Sequence, residues 1–182
     1  MVGKLKQKCI IIDLDWTVCY EPIVGDLPYG VEYGREAWDE YHAKRQFYST
    51  KMFKPIKEIA EFIEGYYNSC YVKPMVIFLT SREDTADGLI RLNSYRFIRK
   101  NFKCFHRPQD YGRSYHLLMR KENDYRPSSV VKEEFLKKDI LPYYNVTLAF
   151  DDDESNKNMF LKNGITVLQP HSIDVYNLIN AD

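Results

Sequence analysis

The sequence predicts an α/β fold, a three-layer sandwich in which helices cover a mostly parallel sheet. Two observations carry that prediction. Short apolar runs alternate with stretches whose apolar residues recur at helical spacing, and acidic or hydroxyl-bearing residues stand where the apolar runs end. The first run, residues 9–14, contains Ile10, Ile11 and Ile12 in succession and reads as a strand buried on both faces. Ile56, Ile59, Ala60, Ile63 and Tyr67 then fall on one stripe of a helix. Residues 74–80 form the next strand, after which Asp84 is placed to cap a helix running past Leu89, Ile90, Phe97 and Ile98. A weaker strand at 117–119, a helix marked by Val131 and Phe135, a strand at 146–150, a helix with Met159 and Phe160, and a strand at 165–168 complete the series. Such alternation is Rossmann-like, and ligands of these folds gather at the carboxyl ends of the strands.

A single domain over residues 1–182 fits this length, with one departure from the alternation. Residues 18–54, rich in Tyr, Pro and Gly and carrying Trp38, Tyr41, Phe47, Tyr48 and Phe53, read as a small cap inserted after the first strand. Twenty-six Lys and Arg balance 26 Asp and Glu, which excludes a polybasic arm and confines any nucleic-acid contact to a local patch. Cys9, Cys19, Cys70 and Cys104 form no CxxC pair and read as free thiols in a reducing compartment. No apolar run approaches the ~20 residues of a membrane span, and the short run before Asp13 is too brief for a signal peptide. A cytoplasmic protein is the expectation.

The chemistry concentrates at three strand ends. IIIDLDWT places Asp13 and Asp15 on one side of an extended chain, followed by Thr17. TLAFDDDESN brings Asp151, Asp152 and Asp153, and IFLTSRED brings Thr80, Ser81 and Arg82. If the three strands are parallel neighbours, several carboxylates meet at one edge, each pair opposed by about 4 kcal/mol near 4 Å at an effective dielectric near 20. A divalent cation resolves that conflict, and oxygen ligands without His or Cys select Mg²⁺.

In order and spacing, DLDWT, LTSR, Lys132 and DDDESN resemble the four motifs of the haloacid dehalogenase-like phosphohydrolases. The stretches GREAWDEYH, LTSRED, LLMRKENDYRPSSVVKEE and LAFDDDESNKNMFLKNGITVLQ are similar to the phosphatase domain of phage polynucleotide kinase 3′-phosphatases and to stand-alone phage phosphatases like it. No GxxxxGK[ST] loop occurs, so no kinase half is expected in this chain. The resemblance implies Asp13 as a nucleophile forming an aspartyl-phosphate and Asp15 as general acid, then base. It implies Mg²⁺ on the Asp13 carboxylate, the Asp15 carbonyl and Asp151, with Asp152 either a ligand or water-bridged. Lys132 and Arg82 would offset phosphoryl charge, and Thr80 with neighbouring Ser81 would bind its oxygens. Arg35, in YGRE, resembles a cap arginine that contacts the phosphate.

Two departures from the family pattern stand out. Trp16 replaces the usual Gly of DxDGT, and Ser128 and Ser129 replace an acidic pair before VVKEE. Between Arg91 and Lys121, nine basic residues interleaved with aromatics face a single acid, Asp110, the composition of a single-strand or nucleotide site. His42, His106, His116 and His171 have no partner at ligand spacing. The reading is a Mg²⁺-dependent phosphomonoesterase removing 3′-phosphates from DNA or RNA ends. A (deoxy)nucleoside monophosphatase and a catalytically silent end-binding module are the alternatives.

Overall fold

The computed structural model describes residues 6–20, 54–105 and 115–170. Five parallel strands form one sheet. They are β1 (Gln7–Ile12), β4 (Met75–Asp84), β5 (Tyr115–Lys121), β6 (Tyr144–Phe150) and β7 (Thr166–Leu168), in the order β5-β4-β1-β6-β7. The chain builds outward from β1 to β4 and β5, then crosses to β6 and β7 on the other side. Strand order therefore reverses at β1, where α/β sheets open a crevice. The ends of the 18–54 insertion pair as a short antiparallel ribbon, β2 (Cys19–Tyr20) with β3 (Lys54–Pro55). Most of the predicted cap, with Arg35, lies outside the described residues.

Helices cover both faces. On one face, α1 (Lys57–Ser69) buries Ile59, Ala60, Ile63 and Tyr67, and α2 (Leu89–Asn101) buries Ile90, Phe97 and Ile98. They pack on Ile10, Ile12, Val76 and Phe78. On the other face lie α3 (Ser128–Phe135), with a π-helical turn from Leu136 to Ile140, and α4 (Glu154–Lys162), over Ile11, Ile77, Leu79 and Ala149. Alternate residues of one strand thus serve two cores, which is why β1 and β4 read as unbroken apolar runs. α4 stops at Gly164, whose φ of 74° allows Ile165 N–H to reach back to the Phe160 carbonyl.

One helix start differs from expectation. Asp84 does not cap α2 but ends β4, which runs four residues beyond Thr80. Its carboxylate accepts two hydrogen bonds from Arg91, from Nε and Nη2, both 2.7 Å. Gly88 takes the N-cap position at φ 67°, and Asp87 Oδ1 accepts from Leu89 N–H at 2.9 Å. The cause is a bulge. Thr80 pairs with Met119 and Glu83 with Arg120, which leaves Ser81 and Arg82 as extra residues in β4. Bulges bend a strand and re-aim its side chains, and here they turn the Ser81–Arg82 segment toward the crevice.

Candidate active site

Three strand ends converge on the reversal point. Asp13 follows β1 directly, and its N–H continues the ladder to the Phe150 carbonyl at 2.9 Å. Asp151 follows β6 and donates from its N–H to the Leu168 carbonyl at 3.3 Å. The chain after Asp13 then reverses tightly, with the N–H groups of Val18 and Cys19 both on the Leu14 carbonyl, at 2.9 and 3.1 Å. Trp16 occupies this turn with φ 59°. A bulky residue in that region costs on the order of 1 kcal/mol or more, where glycine costs nothing.

Asp13, Asp151 and Asp152 each offer one carboxylate oxygen to a group lying within 4.8 Å of one another. Lys132, one turn into α3, is buried between them, its Nζ 2.9 Å from Asp13 Oδ1 and 2.7 Å from Asp151 Oδ2. It is no surface lysine. Asp151 Oδ1 accepts from Asp153 N–H and from the Asn156 amide, at 3.1 and 2.9 Å. The Thr17 hydroxyl ties the cluster together: it donates to Asp152 Oδ1 at 3.0 Å, accepts from Asp152 N–H at 3.1 Å, and lies 3.4 Å from Asp13 Oδ2. Asp153 caps α4, accepting from Asn156 N–H at 2.8 Å, so the triple-Asp run divides into two site residues and one cap.

The electrostatics are unbalanced. Burial, with Asp151, Asp152 and Asp15 nearby and only Lys132 opposing them, pushes the Asp13 carboxyl up to about 8. Burial likewise raises Asp152. Burial works against the Lys132 ammonium, yet Asp13 and Asp151 outweigh it and hold its pKa above the ordinary lysine value. Three carboxylates therefore face one ammonium. Asp13 Oδ1 is buried and faces the Lys132 ammonium at 2.9 Å. An excess of two negative charges among the described residues and an all-oxygen donor set fit a hard divalent cation such as Mg²⁺.

Asp15 faces elsewhere. Its carboxylate accepts from Arg82 Nε at 2.9 Å and from Nη2 at 2.6 Å, a two-pronged pair buried at both ends. Arg82 Nη1 donates to Ser94 Oγ of α2 at 2.9 Å, and Nη2 also reaches Cys19 Sγ at 3.2 Å. The guanidinium that the motif assigns to phosphate is thus seated on the Asp15 side chain. Of the other residues expected at the site, Thr80 is buried and accepts from Arg82 N–H at 3.2 Å. Ser81 shares a hydrogen bond with Ser128, joining the bulge of β4 to the start of α3. Sequence reasoning assigned no role to Ser94 or Asn156. Asn156 lies inside the DDDESN motif, whereas nothing in the sequence pairs Ser94 with Arg82.

A cluster of carboxylates around a buried lysine at the strand ends of a Rossmann-like sheet is the arrangement of a phosphatase of the haloacid dehalogenase-like class. Residues 7–174 match the family described as the polynucleotide kinase PNKP phosphatase domain, and the chain belongs to that family. No curated protein gives a significant match. Among solved structures, a chain of the Pnkp1/Rnl/Hen1 RNA repair complex is similar with a TM-score of 0.60 at 23% identity, over 90% of this chain and 42% of that one. A chain from another structure of the Pnkp1/Rnl/Hen1 complex gives 0.59 at 22% identity, over 93% of this chain and 50% of that one. These likenesses show the shared fold, and this chain spans half or less of the length of either neighbour.

Proposed function

We propose that the protein removes the 3′-phosphate from nucleic-acid ends with Mg²⁺, through an aspartyl-phosphate. The observation that carries the reading is the Asp13–Lys132–Asp151–Asp152 cluster, three carboxylates around one ammonium, whose charge excess calls for a divalent cation beside Asp13. Asp13, Asp151, Asp152 and the Asp15 carbonyl would hold the ion, which supplies positive charge to the carboxylates and the phosphoryl oxygens. Asp13 attacks phosphorus while the bond to the 3′ oxygen breaks and that oxygen takes a proton from Asp15. Water then attacks the aspartyl-phosphate, Asp15 accepts its proton, and inorganic phosphate leaves. Lys132 keeps the Asp13 carboxylate oriented and offsets charge on the transferring group. Arg82 acts through Asp15 as a positioning residue, and Thr80, Ser81 and Arg35 bind the phosphoryl oxygens.

Family membership supports a phosphatase over a silent end-binding module. The similar chains come from an RNA repair complex, which favours nucleic-acid ends over free nucleotides. The charge of α2 points the same way. It carries no acid, and Arg96, Arg99, Lys100 and the following Lys103 are all exposed. This helix touches the site through Ser94 and Arg82, and its exposed cations are read as contacts for the strand beyond the terminal phosphate. Phosphate release from a 3′-phosphorylated oligonucleotide, measured beside a panel of mononucleotides with Mg²⁺, tests the proposal. Preference for the oligonucleotide supports it, and a preference for mononucleotides replaces it with a nucleotidase.

A further inference from the structure

Ile90, Ser94, Phe97 and Ile98 are the buried residues of α2, and Ser94 alone among them is polar. The three apolar side chains join the core packed on β1 and β4. Packing gives no reason for a hydroxyl at such a position, since alanine fills a helix face with a better helix propensity, so its hydrogen bond must account for it. That bond is the one from Arg82 Nη1 to Ser94 Oγ, 2.9 Å long between two buried groups. Nε and Nη2 of the same guanidinium clasp Asp15, at 2.9 and 2.6 Å. Ser94 therefore stands one rigid planar group away from the Asp15 carboxylate. Arg82 is also one of the two extra residues in the β4 bulge, where the regular ladder does not set the direction of a side chain. The anchor on α2 supplies the direction that strand pairing leaves open.

We infer that Ser94 is a positioning residue for proton transfer: it holds the far edge of the Arg82 guanidinium and so fixes the orientation in which Asp15 meets the leaving 3′ oxygen. The inference rests on the reading of Asp15 as general acid and adds the residue that aligns it. In that step the bond from Asp13 to phosphorus forms, the bond from phosphorus to the 3′ oxygen breaks, and the oxygen takes its proton from Asp15. Ser94 neither gives nor takes a proton. Its loss lets the guanidinium and the carboxyl turn together, and a small misplacement of a proton donor is costly only where the leaving group needs the proton.

The test compares wild type and Ser94→Ala on one oligonucleotide prepared with two ends, an ordinary 3′-phosphate and a 3′-phosphate carried on a bridging sulfur. Both ends present the same strand to the protein, but the sulfur leaves as a weakly basic thiolate that needs little protonation. The quantity measured is kcat/KM, which reports the steps up to the aspartyl-phosphate. Ser94→Ala lowers it about tenfold on the oxygen-linked end and about twofold or less on the sulfur-linked end, and melts within a few degrees of wild type. Ser94→Cys, which fills nearly the same space with a weaker acceptor, falls between the two. In an Arg82→Ala background Ser94→Ala adds no further loss, because its effect passes through the guanidinium. An equal loss on both ends, no loss on either, or a full additional loss in the Arg82→Ala background overturns the positioning role and leaves the proposed phosphatase standing. Release of phosphate from neither end by wild type overturns both.

Discussion

Asp13 and Asp15 are separated by a single residue, yet they sit in opposite electrostatic settings. Asp15 meets Arg82 in a buried pair with two parallel contacts, and the guanidinium is further held by Ser94. Asp13 shares Lys132 with Asp151 and has Asp152 close by, so its cluster is two positive charges short. The first pair is balanced in charge, and in the proposed mechanism Arg82 positions Asp15 for proton transfer. The second carries an excess of negative charge among the described residues, which the proposed Mg²⁺ would offset. A strand end supplies both because successive residues leave β1 in different directions once the tight turn begins at Leu14.

The largest effect breaks the open cluster at Asp13, the proposed nucleophile. Asp13→Asn is nearly isosteric but cannot form the acyl-phosphate, and uncatalysed monoester hydrolysis is among the slowest of reactions. Turnover measured with Mg²⁺ should fall by at least about 10⁴-fold. The metal-free Asn variant should melt no lower than wild type, because it removes a buried carboxylate that its neighbours disfavour. Activity at a tenth of wild type would refute the covalent step. Chelation should be comparably severe: EDTA abolishes activity, added Mg²⁺ restores it, and Asp151→Ala raises the Mg²⁺ needed for half-maximal rate.

Breaking the closed cluster is expected to cost stability as well as rate. Arg82→Ala leaves Asp15 buried without its main partner, a change worth about 3–5 kcal/mol for buried pairs. A drop in denaturant midpoint with a fall in kcat of about a hundredfold is the expected pattern. Arg82→Lys keeps the charge but loses the two-pronged geometry, so it should recover stability more than kcat. A loss confined to KM would instead place the guanidinium on the substrate.

The open cluster also predicts a pH signature. A carboxyl whose folded-state pKa lies near 8 rather than in the ordinary range binds more protons folded than unfolded. Metal-free stability from this group therefore falls as pH rises from about 4 to 8. Mg²⁺ favours the ionised form, so the metal-induced rise in Tm should grow across the same window. Thermal melts at pH 5, 6.5 and 8, with and without Mg²⁺, check this, and a metal effect independent of pH would contradict it.

The sequence made the open cluster legible because its residues are local motifs at strand ends: Asp13, Asp151 and Asp152 need only parallel neighbours to meet. Lys132 was legible through the resemblance of VVKEE, since nothing in a lone lysine reveals burial. The destination of Arg82 was not legible, because it depends on the bulge after Thr80, and a bulge leaves no pattern in a run such as IFLTSRED. The same bulge explains why Asp84, spaced correctly for a helix cap, became the end of a strand. Trp16 was marked as a departure from the family pattern, but its positive φ follows from hydrogen bonds between Leu14, Val18 and Cys19 that pattern reading does not contain.

The smallest effect extends the charge comparison to the surface. The exposed cations of α2 have no acid on their own helix, so they resemble the open cluster in sign-reversed form, but solvent screens them. Each phosphate they neutralise contributes a slope of about −0.7 to log K against log salt for a single strand. Arg96→Ala combined with Arg99→Ala should raise KM for a 3′-phosphorylated oligonucleotide several-fold and flatten its salt slope by about one unit. Hydrolysis of a small phosphoester should be unchanged, because neither side chain reaches Asp13 or Lys132 in the described contacts. An equal loss on both substrates would show damage to the fold transmitted through Ser94 to Arg82. No loss on either would return the helix to an ordinary solvated face and leave recognition of the end to the crevice itself.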